Sequence, residues 1–186
     1  MPRFIVIVAC TLAGAAWLYQ KGPVPVIRIT TPLPEPAPFW YMLSAFPILG
    51  ILIADLIDLY RRHGIHRSTL ELAVQICLLV GISNLRLGIR LPISGHSLLV
   101  SYFLARRFLV GPVTPGPNKV EIALGLCVLI AVSYPKLLWW RDPVTLLAGT
   151  ILGVALAALS RWITKRPPKD LRLAAALPRN SDSAGP

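Results

Sequence analysis

The chain has 186 residues, of which 55% are hydrophobic and 15% are charged, and its mean hydropathy is +0.65. A soluble domain of this size could not bury so much apolar surface, so the composition excludes a soluble globular protein and predicts an integral membrane protein. The net charge of +11 comes mostly from residues near the ends of apolar segments, which indicates membrane orientation and predicts no nucleic-acid partner.

Six apolar segments follow one another along the chain, each about 20 residues long, which is the length of a helix that crosses the hydrocarbon layer. They are residues 4–20, 39–60, 69–88, 93–112, 119–138 and 143–164. The sequence therefore predicts an all-α fold, a six-span transmembrane helical bundle whose membrane core is residues 39–164.

The first span, residues 1–20, allows two interpretations. Its basic start, short apolar stretch and Ala13-Gly14-Ala15 fit a cleaved signal peptide, whereas Trp17 and Tyr19 fit a retained span with an aromatic anchor at the interface. We favour the retained span. The next segment begins on the same side in both cases, so the remaining topology does not depend on this choice.

Proline marks the two segments outside the spans. Residues 21–38 contain "KGPVPVIRITTPLPEPAP", in which the prolines disfavour helix, so we predict an extended external loop. Residues 165–186 turn polar and contain further prolines, and we predict a cytoplasmic tail that is largely disordered. The three cysteines lie scattered in apolar runs, which predicts packing residues and neither a metal site nor a cofactor.

Basic residues set the predicted orientation of the spans. With the N-terminus in the cytoplasm, thirteen of the nineteen Lys and Arg residues fall on the inner side, Arg3, Arg106 and Arg107 among them. This predicts a multi-pass protein of the cell membrane. Four of the outer six gather at the outer ends of spans three, five and six, and topology alone does not explain them: Arg86, Arg90, Lys136 and Arg141.

The stretch "LRLGIRLPISGHSLL", residues 85–99, places hydrogen-bonding groups where span four begins, at Pro92 or Ile93. Ser94, Gly95 and His96 then occupy the first helical turn, where free backbone N–H groups and the helix dipole attract anions. Arg86 and Arg90 are four residues apart and can project from one face toward that turn. This pattern predicts a phosphate-binding site.

Span six begins with "WWRDPVTLLAG", in which Asp142 is placed to cap the helix and Pro143 suits its first position. Arg141 stands just outside the helix. Further along, Gly149, Gly153 and Ala157 form a small-residue stripe that favours close helix packing.

These motifs, taken in order, resemble the type 2 phosphatidic acid phosphatases, also called lipid phosphate phosphatases. "ISGHSLL" opens a span, arginines precede it, and "WRDPVTLLAGTILGVALAAL" follows two spans later, so the resemblance covers about residues 69–160. It implies a lipid phosphate or diphosphate as ligand at the outer face. It also implies that Ser94 and Gly95 bind the phosphate, that His96 protonates the leaving group and that Arg90 stands for the arginine of the first motif.

The chain departs from the family pattern where the attacking group is expected. Arg141 occupies the position of the nucleophilic histidine, and Thr145 occupies that of the aspartate which orients it. Pro135 falls at the family's arginine, with Lys136 beside it. Since the family mechanism needs two histidines and His96 alone is predicted at the outer face, we expect phosphate binding with impaired hydrolysis.

Other interpretations of the same residues remain open. The serine can be a helix cap, the arginines can extend to lipid head groups, and the tryptophans can form an interfacial belt. The protein would then be a non-catalytic structural subunit with a membrane-protein partner.

A small transporter is the third alternative, and it would use Asp55, Asp58, Asn84 and Glu121. We disfavour it because these residues are predicted at different depths, and because Asp58 lies one turn from Arg61 and Arg62 and is expected to pair with them.

The predicted orientation can be tested by cysteine labelling from each side of the membrane. Single cysteines at residues 61–68 and in the C-terminal tail should react with an impermeant reagent applied from the cytoplasmic side. A cysteine at position 96 should react from the outside or only after the membrane is opened. Labelling of position 96 from the cytoplasmic side alone would reverse the orientation.

Overall fold

The fold is a bundle of helices, described by a computed structural model over residues 3–22, 25–26, 35–89, 91–109 and 118–165. The helices are α1 (Arg3–Lys21), α2 (Phe39–Leu43), α3 (Ala45–His63), α4 (Arg67–Ile89), α5 (Gly95–Leu109), α6 (Asn118–Tyr134) and α7 (Pro143–Lys165). A π-helical turn, Pro135–Trp139, continues α6, and the two-residue strands β1 (Pro25–Val26) and β2 (Glu35–Pro36) pair antiparallel. The prediction of an all-α helical bundle is confirmed.

Five helical segments in the described part of the chain are long and apolar enough to cross a membrane. They are Arg3–Lys21, Phe39–His63, Arg67–Leu85, Lys119–Trp139 and Pro143–Trp162. Large apolar side chains such as Phe4, Ile130 and Ile151 are more than 60% exposed on the outside of the bundle. An aqueous surface would not tolerate so much exposed apolar area, so the protein is embedded in a membrane.

The remaining predicted span, residues 93–112, corresponds to α5, which has 15 residues and is therefore roughly 22 Å long. Twelve of those residues are buried, and the helix packs against α3, α4, α6 and α7. Burial of nearly every residue, Arg106 and Arg107 included, places this helix in the interior of the bundle. Thus α5 is the central helix, and the longer helices surround it.

The closest helix packing is between α5 and α7, and glycines make it possible. A Cβ atom added to Gly149 would lie 2.5 Å from the carbonyl oxygen of Ser94, and one added to Gly153 would lie 2.5 Å from that of Leu98. Ala157, one turn further on, is fully buried. The predicted small-residue stripe is therefore confirmed, and it faces the central helix.

The end of the bundle at which α1 begins, called here the Arg3 end, holds a network of buried charges. The Arg3 guanidinium lies 2.6 Å from a carboxylate oxygen of Asp55, 2.7 Å from one of Asp58 and 2.9 Å from one of Glu121. Arg107 lies 3.1 Å from Asp55 and 2.5 Å from Glu121. Side chains from α1, α3, α5 and α6 are thus joined by ion pairs.

These contacts correct two of the sequence-based expectations. Asp58 pairs with Arg3 on another helix, and not with its neighbours Arg61 and Arg62, which are exposed. Asp55, Asp58 and Glu121 were expected at different depths, yet they lie together.

A second polar network at the same end joins α4, α5 and α7. Arg106 donates a hydrogen bond of 2.7 Å to the hydroxyl of Ser160 and lies 3.6 Å from a carboxylate oxygen of Glu71. The hydroxyl groups of Ser160 and Tyr102 donate in turn to Glu71 and Gln75. Arg106 and Arg107, counted above as residues of the inner membrane face, are therefore buried in the bundle, where they link helices, and Arg3 is half-buried beside them.

Several predictions fall on other parts of the chain. Residues 166–186, which include most of the predicted tail, lie outside the described residues, as do 23–24 and 27–34 of the predicted loop.

The cysteines were expected to pack, but Cys77 and Cys127 are exposed on the outer surface of the bundle, and Cys10 is half-buried. The packing prediction is therefore wrong for two of the three.

Replacing Gly149 by Ala should destabilise the protein by about 1–3 kcal/mol, because the new methyl group meets the backbone of α5 and neither helix can yield without losing other contacts. Thermal unfolding of the purified protein in detergent measures this change. Gly81→Ala is the matched control, since nothing lies within 4 Å of the added Cβ atom in α4. That substitution should stabilise the helix by about 0.5–1 kcal/mol. Equal effects at the two positions would contradict the close packing of α5 and α7.

Candidate functional site

The predicted site residues that the structure describes lie at the opposite end of the bundle, called here the Trp140 end. Ser94 precedes α5, which begins at Gly95, slightly later than the predicted Pro92 or Ile93. The Ser94 hydroxyl oxygen accepts a hydrogen bond of 3.4 Å from the Ser97 N–H, as a helix cap does. The Ser94 N–H donates to the Thr145 carbonyl oxygen at 2.9 Å. This last bond holds the first turns of α5 and α7 side by side.

His96 lies in an aromatic cluster close to that contact. Its ring centroid is 4.5 Å from that of Tyr41, and the Tyr41 ring makes an edge contact of 4.9 Å with Trp140. The Nε2 atom of His96 lies 3.4 Å from the carbonyl oxygen of Met42. The imidazole is buried, so α2 and the segment before α7 fix its position.

The π-helical turn Pro135–Trp139 places a lysine in the same region. The Trp140 N–H donates to the Pro135 carbonyl oxygen at 2.8 Å, and the Asp142 N–H donates to that of Lys136 at 2.7 Å. Between them, Arg141 adopts a left-handed backbone conformation with φ of +48°. The chain thus turns back sharply, and Asp142 comes to lie beside Lys136.

Lys136, Asp142 and Thr145 form a buried hydrogen-bonded group at the start of α7. The Lys136 ammonium lies 3.3 Å from a carboxylate oxygen of Asp142 and 3.1 Å from the Thr145 hydroxyl. That hydroxyl donates to Asp142 at 2.6 Å, and the Thr145 N–H donates to the other carboxylate oxygen at 3.3 Å. Asp142 therefore caps α7, and Pro143 is the first residue of that helix, both as predicted.

The pKa of Asp142 reflects these contacts. Burial acts to raise it, but the hydrogen bonds from Thr145 and the charge of Lys136 outweigh burial and hold the pKa below its usual value. The carboxylate is thus charged at neutral pH, and the Lys136 ammonium is paired.

The arginines of the predicted site are described to different extents. Arg141 is exposed, and within the described ranges its side chain makes no hydrogen bond or ion pair. The backbone of Arg86 belongs to α4, but its side chain is outside the described residues, and Arg90 lies outside them altogether. Of the predicted site residues, Ser94, Gly95 and His96 are the ones that the structure places together, close to Trp140 and Thr145.

Lys136 is the residue of this end that the sequence analysis underrated. It was noted as an outer charge and as the neighbour of Pro135, but no contact was predicted for it. A lysine inside an apolar segment is costly and is a signal in its own right. A π-helical turn is not visible in a hydrophobicity pattern, so the approach of Lys136 to Asp142 could not be anticipated.

The groups at the Trp140 end are better suited to binding an anion than to attacking the phosphorus atom of a phosphate. The N-terminal ends of α5 and α7 meet here, and their dipoles add to the charge of Arg141, while Asp142 balances the charge of Lys136. The imidazole of His96 is the one histidine among the described residues of this end. The Thr145 hydroxyl donates to Asp142 but is buried and also accepts a hydrogen bond from Lys136, and a guanidinium such as that of Arg141 has no free lone pair. Among the described side chains of this end, His96 is therefore the remaining candidate nucleophile, and one imidazole cannot both attack phosphorus and protonate the leaving group.

Comparison of the chain with models of protein families finds no match, and comparisons with curated proteins and with solved structures find no similar protein. The likeness to lipid phosphate phosphatases rests on the motifs of the sequence alone.

Replacing Asp142 by Asn should destabilise the protein by about 3 kcal/mol at neutral pH, because the buried Lys136 ammonium would lose its counter-charge. Chemical unfolding in detergent measures this loss. The double variant Lys136→Met with Asp142→Asn is the control and should recover most of the stability, since it leaves no buried charge unpaired.

The same pair predicts how stability depends on pH. Because the pKa of Asp142 is lower in the folded than in the unfolded protein, its contribution is complete above the ordinary value of 3.8 and is lost as the pH falls through the lower folded value. Acid should therefore weaken the wild type more than Asp142→Asn. Parallel pH profiles for the two proteins would contradict the ion pair.

Proposed function

We propose that this chain is a multi-pass protein of the cell membrane that binds the phosphate or diphosphate head group of a lipid and hydrolyses it slowly or not at all. The observation that carries the proposal is the meeting of two helix N-termini, joined by the hydrogen bond from Ser94 to Thr145, beside the exposed Arg141 and the buried Lys136–Asp142 pair. Anions bind where several N–H groups and positive charges converge in a poorly hydrated site.

The resemblance to lipid phosphate phosphatases supports the same ligand. In that comparison Ser94 and Gly95 match phosphate-binding positions, and both lie at the start of α5. Arg141 matches the family's nucleophile, and its position next to Trp140 in the chain keeps a positive charge at this end. The lipid phosphate would thus meet a cationic site in which one histidine, His96, cannot both attack phosphorus and protonate the leaving group.

His96 is proposed to contribute to binding or to protonate a leaving group. Its packing against Tyr41 keeps the ring in one orientation, as a general acid requires. Without an attacking group on the opposite side of the phosphorus atom, a positioned acid accelerates hydrolysis little. A water molecule activated by Asp142 is disfavoured, because that carboxylate already accepts hydrogen bonds from Lys136 and Thr145.

A non-catalytic subunit of a larger membrane complex is the second proposal, and one observation favours it. The polar side chains at the start of α7 satisfy one another, as the contacts among Lys136, Asp142 and Thr145 show. Such a group can hold the helix ends together without binding any ligand. A partner that co-purifies in stoichiometric amounts, together with failure to bind any lipid phosphate, would support this second role.

Ligand binding should depend on Arg141. In detergent or nanodiscs the purified protein should bind phosphatidic acid or vanadate, and Arg141→Ala should weaken binding by about 1.5–3 kcal/mol, the value of a charge-assisted hydrogen bond. Arg61→Ala is the matched control. It removes one exposed charge from the last turn of α3, at the Arg3 end of the bundle, and should leave binding unchanged. Equal losses of affinity for the two variants would show that the effect comes from net charge alone.

The same preparation should release phosphate from phosphatidic acid or a polyprenyl diphosphate very slowly or not at all. The reason is that the described side chains of this end offer one imidazole, His96, for two catalytic roles. Rapid release that disappears in His96→Ala would show that the protein is an active phosphatase.

A further inference from the structure

A cleft of about 410 Å³ lies between α1, α3, α4 and α5 at the Trp140 end. Its volume is in the range of binding sites for small molecules, which is about 300–1,000 Å³. It reaches His96, but the group formed by Lys136, Asp142 and Thr145 does not line it. The cleft is therefore a separate space that adjoins the candidate phosphate site.

The lining of the cleft changes from polar to apolar along the bundle axis. Ser83, Asn84 and His96 contribute the polar side chains. About one helical turn further into the bundle, the walls are formed by Leu49, Leu79 and Leu99. The polar part thus lies near the helix ends and the apolar part lies deeper in the membrane, which is the arrangement of head group and chain in a lipid.

The central helix separates this cleft from the α7 contact. Ser94, just before α5, and Leu98 touch α7 at Gly149, whereas Gly95 and Leu99 face the cleft. These two pairs are offset by one residue along the helix, so they lie on adjacent faces of α5. A molecule in the cleft therefore reaches the start of α5 without displacing α7.

The surroundings limit what can fill the cleft. The four helices that form it are α5 and three that are apolar enough to span a membrane, and Val80, which lines the cleft, is 41% exposed. Water would find few hydrogen-bond partners deep in the cleft. If the cleft were empty, the side chains that line it would lose van der Waals contacts. The membrane itself supplies hydrocarbon chains of lipids, which can occupy such a space.

We propose that the cleft binds one hydrocarbon chain of a membrane lipid, with the head group held at the level of Ser83, Asn84 and His96. This inference rests on the proposed lipid-binding function and names the part of the lipid that lies inside the protein. The phosphate then lies beside the start of α5.

Photo-crosslinking of the full chain in phosphatidylcholine vesicles tests this proposal. The probes are phosphatidic acid and phosphatidylcholine, each with a diazirine in one acyl chain. Cross-links should concentrate on Leu49, Leu79 and Leu99 in preference to lipid-facing residues such as Ile151. Val80→Phe places a ring at the cleft and should lower these cross-links by about tenfold, the loss expected for about 1.4 kcal/mol.

Val154→Phe is the matched control, because Val154 is 42% exposed and Val80 is 41% exposed, and α7 does not line the cleft. It should leave the cleft cross-links unchanged. Ala45→Phe, with Ala131→Phe as its control on α6, repeats the test from another wall if Val80→Phe does not fold. Circular dichroism and a single peak in gel filtration confirm folding of each variant.

The two probes separate this inference from the proposed function. Cross-links spread evenly over the lipid-facing residues, and insensitive to Val80→Phe and Ala45→Phe, would overturn the chain-binding cleft. Cleft cross-links of equal strength from both lipids would support the cleft and count against a phosphate preference. A preference for phosphatidic acid that Arg141→Ala abolishes, while cleft cross-links persist, would support both.

Discussion

Arg106 and Arg107 lie near the end of a helix that is buried on almost every side, and the arrangement of the other helices satisfies their charges. A guanidinium inside a bundle is tolerated when carboxylates and hydroxyl groups surround it. Here α3 and α6 supply Asp55 and Glu121 to Arg107, while α4 and α7 supply Glu71 and Ser160 to Arg106. Arg3 brings α1 to the same carboxylates. Each helix that passes the central one is thereby fixed at one end by a directional contact, in addition to non-directional apolar packing.

The helices themselves could be predicted from the sequence, because hydrophobicity and capping are local properties. The bounds of the spans agree with the observed helices to within a few residues, and Asp142 and Pro143 begin α7 as their residue types indicate. The partners of the charged residues could not be predicted in the same way. Arg3 and Glu121 are 118 positions apart, and no local pattern relates them. Placing Arg106 at a membrane face was reasonable from its position near the end of an apolar run, yet its side chain is buried.

Part of the candidate site could also be predicted. Ser94, Gly95 and His96 lie at the start of a helix, as the motif indicated, and Arg141 lies just before another. The contact between the two helix ends and the role of Lys136 depend on the π-helical turn and on the left-handed residue that follows it, which are tertiary features. The polar groups proposed to bind an anion at this end also hold α5 and α7 together. Substitutions there are therefore expected to change stability as well as the proposed binding, and need both kinds of measurement.

The central helix has a consequence for the way the protein fits its bilayer. Because α5 is surrounded by protein, its length of about 22 Å does not have to match a hydrocarbon layer of about 30 Å. The outer helices alone experience hydrophobic mismatch, and they can tilt to accommodate membranes of different thickness. Their ion pairs with α5 lie at one end and the α7 contact extends along its length, so modest tilting changes the outer surface more than the interior. The contact between Ser94 and Thr145 thus does not depend on a match between the length of α5 and the thickness of the surrounding lipid.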